Sequence, residues 1–215
     1  MLSSKRPVRT LIATALALAA LPAMAAEPAF TRTVFFGDSL TDSGYFRPLL
    51  PPSVQPVTGK FTTNPAWVWA EHIANYYGTN ATPNGNGQTG DNYAAGGATV
   101  ATDLVGALGP TPSLKTQAAR YLAANGGKAD ANALYTVWGG PNDLFGITNP
   151  AQAPAVIGAA VTNQVGIVGS LQAAGAKYVL VPNLPDIGLT PMARAGGPAA
   201  MAQYTAVATA YNNAL

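Results

Sequence analysis

Thr33-Val34-Phe35-Phe36-Gly37-Asp38-Ser39-Leu40 joins a β-branched and aromatic run to a glycine, an acid and a small hydroxyl residue. The run Thr33–Phe36 predicts a strand, and Gly37 ends it. Ser39 then falls at the carboxyl end of that strand, where open α/β sheets hold their ligands. A serine there is placed to act as a nucleophile, and its own backbone N–H can help hold an oxyanion.

The pattern repeats outward from this stretch. Pro65 to Tyr77 predicts a helix with a proline near its start and Gly78 as its stop. Asn80 to Gly90 is expected to be a flexible surface loop, and Asp91 to Ala95 a short second strand. Ser113 is a helix cap, with Leu114, Ala118, Tyr121 and Leu122 on one face and Asn125-Gly126-Gly127 at the end. Ala133 to Trp138 predicts a strand buried on both faces. Pro154 opens a long helix carrying Ile157, Val161, Val165, Val168 and Leu171 at helical spacing, and Gly175 closes it. Lys177 to Val181 predicts a fourth strand, and Pro198 to Leu215 a last helix. Strands alternating with helices imply an α/β fold with a parallel sheet. Residues 45–64, rich in proline, glycine and threonine, form a loop too long to be only a connector.

Composition narrows the function. Only 9% of the 215 residues are charged and the formal net charge is +2, which argues against nucleic acid as a partner. Lys5, Arg6 and Arg9 precede an apolar run from Leu11 to Leu21 and the small residues Ala23-Met24-Ala25. This three-part order predicts a signal peptide over residues 1–25 and a mature, exported domain over 26–215. The destination is then secreted, periplasmic or the outer-membrane surface. The apolar run is about half of the ~20 residues that span a bilayer. There is no cysteine, so stability must come from the core rather than from disulfides.

Three glycine-containing segments fall at the carboxyl ends of strands. They are Gly37 to Gly44, Asn92-Tyr93-Ala94-Ala95-Gly96-Gly97-Ala98-Thr99, and Trp138-Gly139-Gly140-Pro141-Asn142-Asp143-Leu144. Loops at one edge of a doubly wound sheet converge on a single crevice. A hydroxyl, a glycine N–H and a carboxamide meeting there would supply what acyl transfer needs.

With these blocks, and with Val181-Pro182-Asn183-Leu184-Pro185-Asp186-Ile187-Gly188-Leu189-Thr190-Pro191, the chain resembles the GDSL esterase/lipase family, the SGNH hydrolases, from about Val34 to Leu215. The resemblance implies a three-layer α/β/α sandwich with a flavodoxin-like parallel sheet. It implies a serine ester hydrolase that needs no cofactor and acts on small-molecule or lipid esters. Ser39 would be the nucleophile and Asn142 an oxyanion donor. Gly97 would supply a second N–H, with Gly96 the competing choice. The nearest likeness is to lipase-like and autotransporter esterases, and so implies a membrane barrel after the catalytic domain in a full-length form.

One departure stands out. The family's Asp-x-x-His block, whose histidine is the general base, has no counterpart here. The single histidine, His72, falls in the first predicted helix with Trp69 three residues before it, and reads as a solvated or partly packed helix residue. A serine without a base is a weak nucleophile. The 215-residue chain is therefore expected to be nearly inactive, with the last strand and the histidine loop beyond Leu215. A lipid- or glycan-binding module and a non-functional fragment are the rival readings.

Other patterns carry less. Asp38 and Asp42 suit turn and helix-start roles better than paired acid/base work. Asp143 reads equally well as an orienting group and as a capping residue. Gly85-Asn86-Gly87-Gln88-Thr89-Gly90 matches a dinucleotide fingerprint in letters only, since it precedes a strand rather than following one. No cluster has metal-ligand spacing. Trp67, Trp69, Tyr76 and Tyr77 are expected in the core and pocket walls.

Overall fold

Apolar alternation along the first strand sorts the whole molecule into layers. The structure is a computed structural model that describes residues 29–147 and 149–215. The expected signal peptide, and the start of the domain that follows it, lie outside the described residues. In chain order the elements are β1 (Thr33–Gly37), α1 (Trp69–Tyr76), the hairpin β2 (Asn84–Gly85) and β3 (Gln88–Thr89), and the hairpin β4 (Leu104–Gly106) and β5 (Gly109–Thr111). Then come α2 (Leu114–Ala124), β6 (Leu134–Trp138), α3 (Pro141–Phe145), α4 (Ala153–Ala173), β7 (Tyr178–Leu180), α5 (Pro191–Ala195) and α6 (Gly197–Ala214).

β1 pairs in parallel with β6, and β6 with β7. On the other edge of β1 runs the extended segment 91–95. Phe35 donates its N–H to the Asp91 carbonyl, Tyr93 donates to Phe35 and Ala95 to Gly37 (3.0, 2.8 and 3.1 Å). The order is thus 91–95, β1, β6, β7, all parallel, and it reverses direction between β1 and β6. Ligands of doubly wound sheets bind at that switch point. Val34 and Phe36 join the larger apolar cluster with Leu114 and Tyr121 of α2, Leu171 of α4 and Tyr211 of α6. Phe35 points the other way, to Ala70 and Ala74 of α1. Helices therefore cover both faces of a parallel sheet, the architecture expected from the alternating pattern.

Several local expectations are corrected. α1 starts at Trp69 rather than Pro65, because Val68 is extended and its N–H is taken by the Glu71 carboxylate (2.9 Å). An acid at that position closes the first turn from inside. The stretch Asn80 to Gly90 is not a loose loop: it holds β2 and β3, joined by Asn86 and Gly87 at φ of 50° and 83°. Asn-Gly satisfies the two positive-φ positions of a tight hairpin turn. Val165 is 53% exposed, and the buried face of α4 is instead Ile157, Ala160, Val161, Gln164, Ile167 and Leu171. Trp67 and Tyr76 are not core, 45% and 63% exposed, but Trp67 does line a cavity, with Lys60 and Glu71. The hairpin β4–β5 and the short helix α3 have no counterpart in the sequence expectations.

One buried carboxamide fixes the end of β1. Gln117, on α2, accepts from the Gly37 N–H and donates to the Gly37 carbonyl, both at 2.9 Å, and donates to the Pro112 carbonyl as well. Replacing Gln117 with Leu orphans the Gly37 N–H in a dry site and is expected to cost about 1–3 kcal/mol of folding stability. Urea unfolding checks this; a midpoint equal to wild type would show that the carboxamide bonds are dispensable.

Candidate active site

β1 delivers the chain into a tight reversal. A Cβ on Gly37 would lie 2.6 Å from Thr41 Oγ1 and 3.1 Å from the Trp138 carbonyl, so only glycine lets the turn fold back this closely. The Asp38 carbonyl accepts from the N–H groups of Thr41 and Asp42, and its carboxylate accepts from the Leu40 N–H (3.0 Å). Ser39 sits inside this turn, half-buried. Among the described residues, neither its hydroxyl nor its backbone N–H has a hydrogen-bond partner.

The second turn is tied to the first. Asn92 Nδ2 donates to the Thr41 carbonyl and to Ser43 Oγ (2.8 and 2.9 Å). Asp42 accepts from Gly44 and Tyr45 with one oxygen (2.7 and 2.6 Å) and from the Gly96 N–H with the other (2.8 Å). That last bond occupies the Gly96 donor. Gly97, exposed and at φ 84°, keeps an N–H without a partner among the described residues. The ring of Phe61 lies where a Gly96 Cβ would be, 2.3 Å from that position.

The third turn is tied to the second. Gly37 and Trp138 are register partners, so the turns after β1 and β6 start level. Gly139 and Gly140 lead into α3, which presents Asn142 and Asp143. Asn142 Nδ2 donates to the Ala98 carbonyl (2.9 Å), leaving its second N–H uncommitted, and Asp143 accepts from the Val100 N–H (3.0 Å). Ser39, Gly97 and Asn142 thus belong to three turns cross-linked by Asp42–Gly96 and Asn142–Ala98. His72 is not drawn in. It lies exposed on α1 with its ring 5.3 Å from that of Trp67, and no hydrogen bond joins it to the Ser39 turn. Gly85 to Gly90 turns a hairpin and opens no helix, which removes the dinucleotide pattern.

Three carboxyl groups around the serine turn are desolvated. Burial pushes Asp38 up to about 7, with the charges of Asp143 and Asp42 adding to the shift against its bond from Leu40. Burial pushes Asp42 up to about 6, opposed by its three backbone donors. Burial raises Asp143 as well. Asp38 and Asp42 do serve turns, as their positions suggested. What the sequence did not disclose is that Asp42 reaches across to Gly96, or that Gln117 and Tyr211 brace the turns from distant helices. Only the burial of a polar residue inside an apolar helical face, as at Gln117 and Gln164, hints at such roles.

The family model described as GDSL-like Lipase/Acylhydrolase matches residues 33–215. The chain belongs to that family. The GDSL chain is 32% identical to "Lipase 1" of Photorhabdus luminescens over 169 residues, 76% of this chain and 23% of that protein. It is 33% identical over 208 residues to "Uncharacterized protein in trpE-trpG intergenic region" of Pseudomonas putida, 87% of this chain and 34% of the relative. It is 32% identical to "Phosphatidylcholine-sterol acyltransferase" of Aeromonas hydrophila over 190 residues, 83% of this chain and 52% of the relative. The GDSL chain therefore spans from about a quarter to about half of the length of these curated relatives.

The raised Asp38 sets a pH dependence. Its folded form holds a proton more tightly than its unfolded form, so its stabilising share is complete below the unfolded value near 4. That share is lost as pH rises toward 7, by up to about 4 kcal/mol. Asp38→Asn keeps an acceptor for Leu40 but cannot ionise. Urea unfolding of the variant is expected to match wild type at pH 4 and to exceed it at pH 8. Stability curves that stay parallel from pH 4 to pH 8 would contradict the burial of that charge.

Proposed function

We propose that this chain carries the nucleophile and the oxyanion site of a serine acyl-ester hydrolase. The observation that supports the reading is the pair of cross-links, Asp42 to Gly96 and Asn142 to Ala98, which tie the turns of Gly97 and Asn142 to the turn of a serine that has no internal partner. Ser39 Oγ attacks the acyl carbon, and the carbonyl oxygen gathers negative charge as the tetrahedral intermediate forms. The N–H groups of Ser39 and Gly97 and the free N–H of the Asn142 carboxamide meet that charge. Fixed donors in a partly dry site stabilise it without reorganising. The intermediate collapses, the alcohol leaves with a proton, and water releases the acyl group in a second round. Gly97 rather than Gly96 takes the donor role because Asp42 already holds the Gly96 N–H.

The base is the unfilled role. His72 is the single histidine of the sequence and faces solvent on α1. An Asp-x-x-His segment supplied by a longer form would take the Ser39 proton and return it to the leaving alcohol. Removing the base alone lowers turnover on the order of 10⁶-fold in a comparable serine hydrolase, so residues 26–215 by themselves are expected to acylate slowly. The relatives named as a lipase and as a phosphatidylcholine-sterol acyltransferase support lipid esters as the substrate class. The charged, apolar and small-residue order of residues 5–25 supports export.

In a form that includes an Asp-x-x-His segment, a fluorophosphonate probe tests the nucleophile. Ser39→Ala is expected to abolish labelling, whereas His72→Gln is expected to label at the wild-type rate; a large drop in the latter would reassign the base. In a form that includes an Asp-x-x-His segment, Asn142→Ala is expected to lower kcat on p-nitrophenyl butyrate by about 10²–10³. An unchanged kcat would remove Asn142 from the oxyanion site.

A further inference from the structure

The second of the three turns contains a peptide that no hydrogen bond holds. Ala95-Gly96-Gly97-Ala98 closes on itself, with the Ala98 N–H donating to the Ala95 carbonyl (3.1 Å). Its ends are fixed from outside: Asp42 accepts the Gly96 N–H, and the Ala98 carbonyl accepts from Asn142. Gly97 lies at φ 84° while Gly96 is not at positive φ, the pattern of a type II turn. Between them is the central peptide, made of the Gly96 carbonyl and the Gly97 N–H. Among the described residues neither group has a hydrogen-bond partner. Type I and type II turns differ mainly by rotation of that peptide. With glycine on both sides of it, no side chain penalises either form. Rotation would carry the Gly97 N–H to the opposite face and put the Gly96 carbonyl in its place.

A side chain from another loop stands against that rotation. The Phe61 ring rests on Gly96 so closely that a Cβ there would fall 2.3 Å from two of its carbons. Phe61 is 55% exposed, so burial does not set its place. Its own turn does. The Asn64 carboxamide donates to the Lys60 and Thr62 carbonyls (2.8 and 2.9 Å) and accepts from the Lys60 N–H (3.3 Å), which clasps the chain around Phe61. Lys60 Nζ is paired with Glu71 Oε1 (2.5 Å), and both side chains are largely buried. The other Glu71 oxygen holds the Val68 N–H at the start of α1. An aromatic ring is thus carried on a turn bonded into the scaffold and set down on a glycine. An arrangement that leaves over half of Phe61 in water gives the fold only a small share of the apolar burial such a ring could supply.

We propose that Phe61 is a positioning residue. Its ring clamps the Gly96–Gly97 peptide in the type II form and so keeps the Gly97 N–H on one face of the turn. The clamp belongs to the fold; that the held N–H meets an oxyanion rests on the ester-hydrolase reading. A fixed donor stabilises developing charge without reorganising, whereas a peptide that turns over spends part of its time presenting an acceptor. Phe61 acts through Gly97 and not on the substrate.

Two measurements separate the clamp from that reading. The first needs no turnover and is nitrogen-15 relaxation on the full chain. The Gly97 amide of wild type is expected to be as ordered as its neighbours in the turn. In Phe61→Ala it is expected to lose order, as an order parameter below about 0.6 or as microsecond-to-millisecond exchange. Phe61→Tyr is expected to restore it, and Val57→Ala, on the exposed arm of the same loop, to leave it unchanged. The second uses a form that includes an Asp-x-x-His segment. There Phe61→Ala is expected to lower kcat by about three- to tenfold with KM unchanged, since the rate follows the competent fraction. The loss is expected to be equal on p-nitrophenyl butyrate and p-nitrophenyl octanoate, and Phe61→Tyr to recover it. A Gly97 amide that stays ordered in Phe61→Ala would overturn the proposal. So would a loss seen in KM that grows with acyl length, the mark of a ring that binds substrate. Disorder at Gly97 with kcat unchanged would leave the clamp standing and remove Gly97 from the oxyanion site.

Discussion

The carboxylate of Asp42, fully buried, accepts three backbone N–H groups, two from its own turn and one from Gly96 more than fifty residues away. A buried carboxylate is tolerated only when its lone pairs are filled, and an orphaned one costs several kcal/mol. The two turns can therefore not drift apart without exposing that cost. The same bond decides which glycine N–H is consumed and which stays free. Position and chemistry at the crevice thus follow from one acceptor, with Asn142–Ala98 repeating the device between the second and third turns.

The sheet was legible because its signals are local. Thr33–Phe36 and Ala133–Trp138 are short apolar runs stopped by glycine, and Ser113 caps α2 with its hydroxyl on the Thr116 N–H. Elsewhere a local signal was present but outweighed. Asn86-Gly87 specified a hairpin inside what read as a polar loop, and Glu71 marked the true start of α1 while Pro65 drew the boundary four residues early. Val165 failed for another reason: α4 is apolar nearly all round, so periodicity alone could not choose which face meets the sheet. The buried stripe runs through Gln164 instead, whose carboxamide donates to the Val137 carbonyl (3.3 Å). The candidate site was legible as three motifs but not as one object. The bonds that join them link residues dozens of positions apart, and no spacing rule anticipates those partners.

Desolvation has opposite signs at the two ends of this crevice. Around Ser39 it holds Asp38, Asp42 and Asp143 in a medium that resists their charge, and so weakens the fold as these groups ionise. The same medium strengthens any fixed N–H aimed at a developing oxyanion. The proposed oxyanion site would thus sit on a turn that is uneasy with permanent negative charge. The three backbone donors to Asp42 offset part of that tension, whereas Asp38, pushed up further by burial, keeps more of it.

The fourth motif, Val181 to Pro191, enters this chain of causes through packing. A Cβ on Gly188 would fall 2.1 Å from Thr205 Oγ1 and 2.3 Å from the Met201 carbonyl, so glycine is what lets α6 seat there. Asp186 holds the contact by accepting from Thr205 Oγ1 (2.7 Å), and Asn212 brackets Leu184 through both its backbone groups (2.8 Å each). With α6 so placed, Tyr211 reaches under the third turn. Its hydroxyl meets the Gly139 carbonyl and the Gln164 carboxamide, and its ring occupies the space a Gly140 side chain would need. Gly140, at φ 119°, can then turn the chain into α3 at the angle that carries Asn142 to Ala98. The Val181 to Pro191 motif therefore serves the Asn142 turn at a distance. It seats the helix whose tyrosine fixes the turn, and the turn fixes the carboxamide.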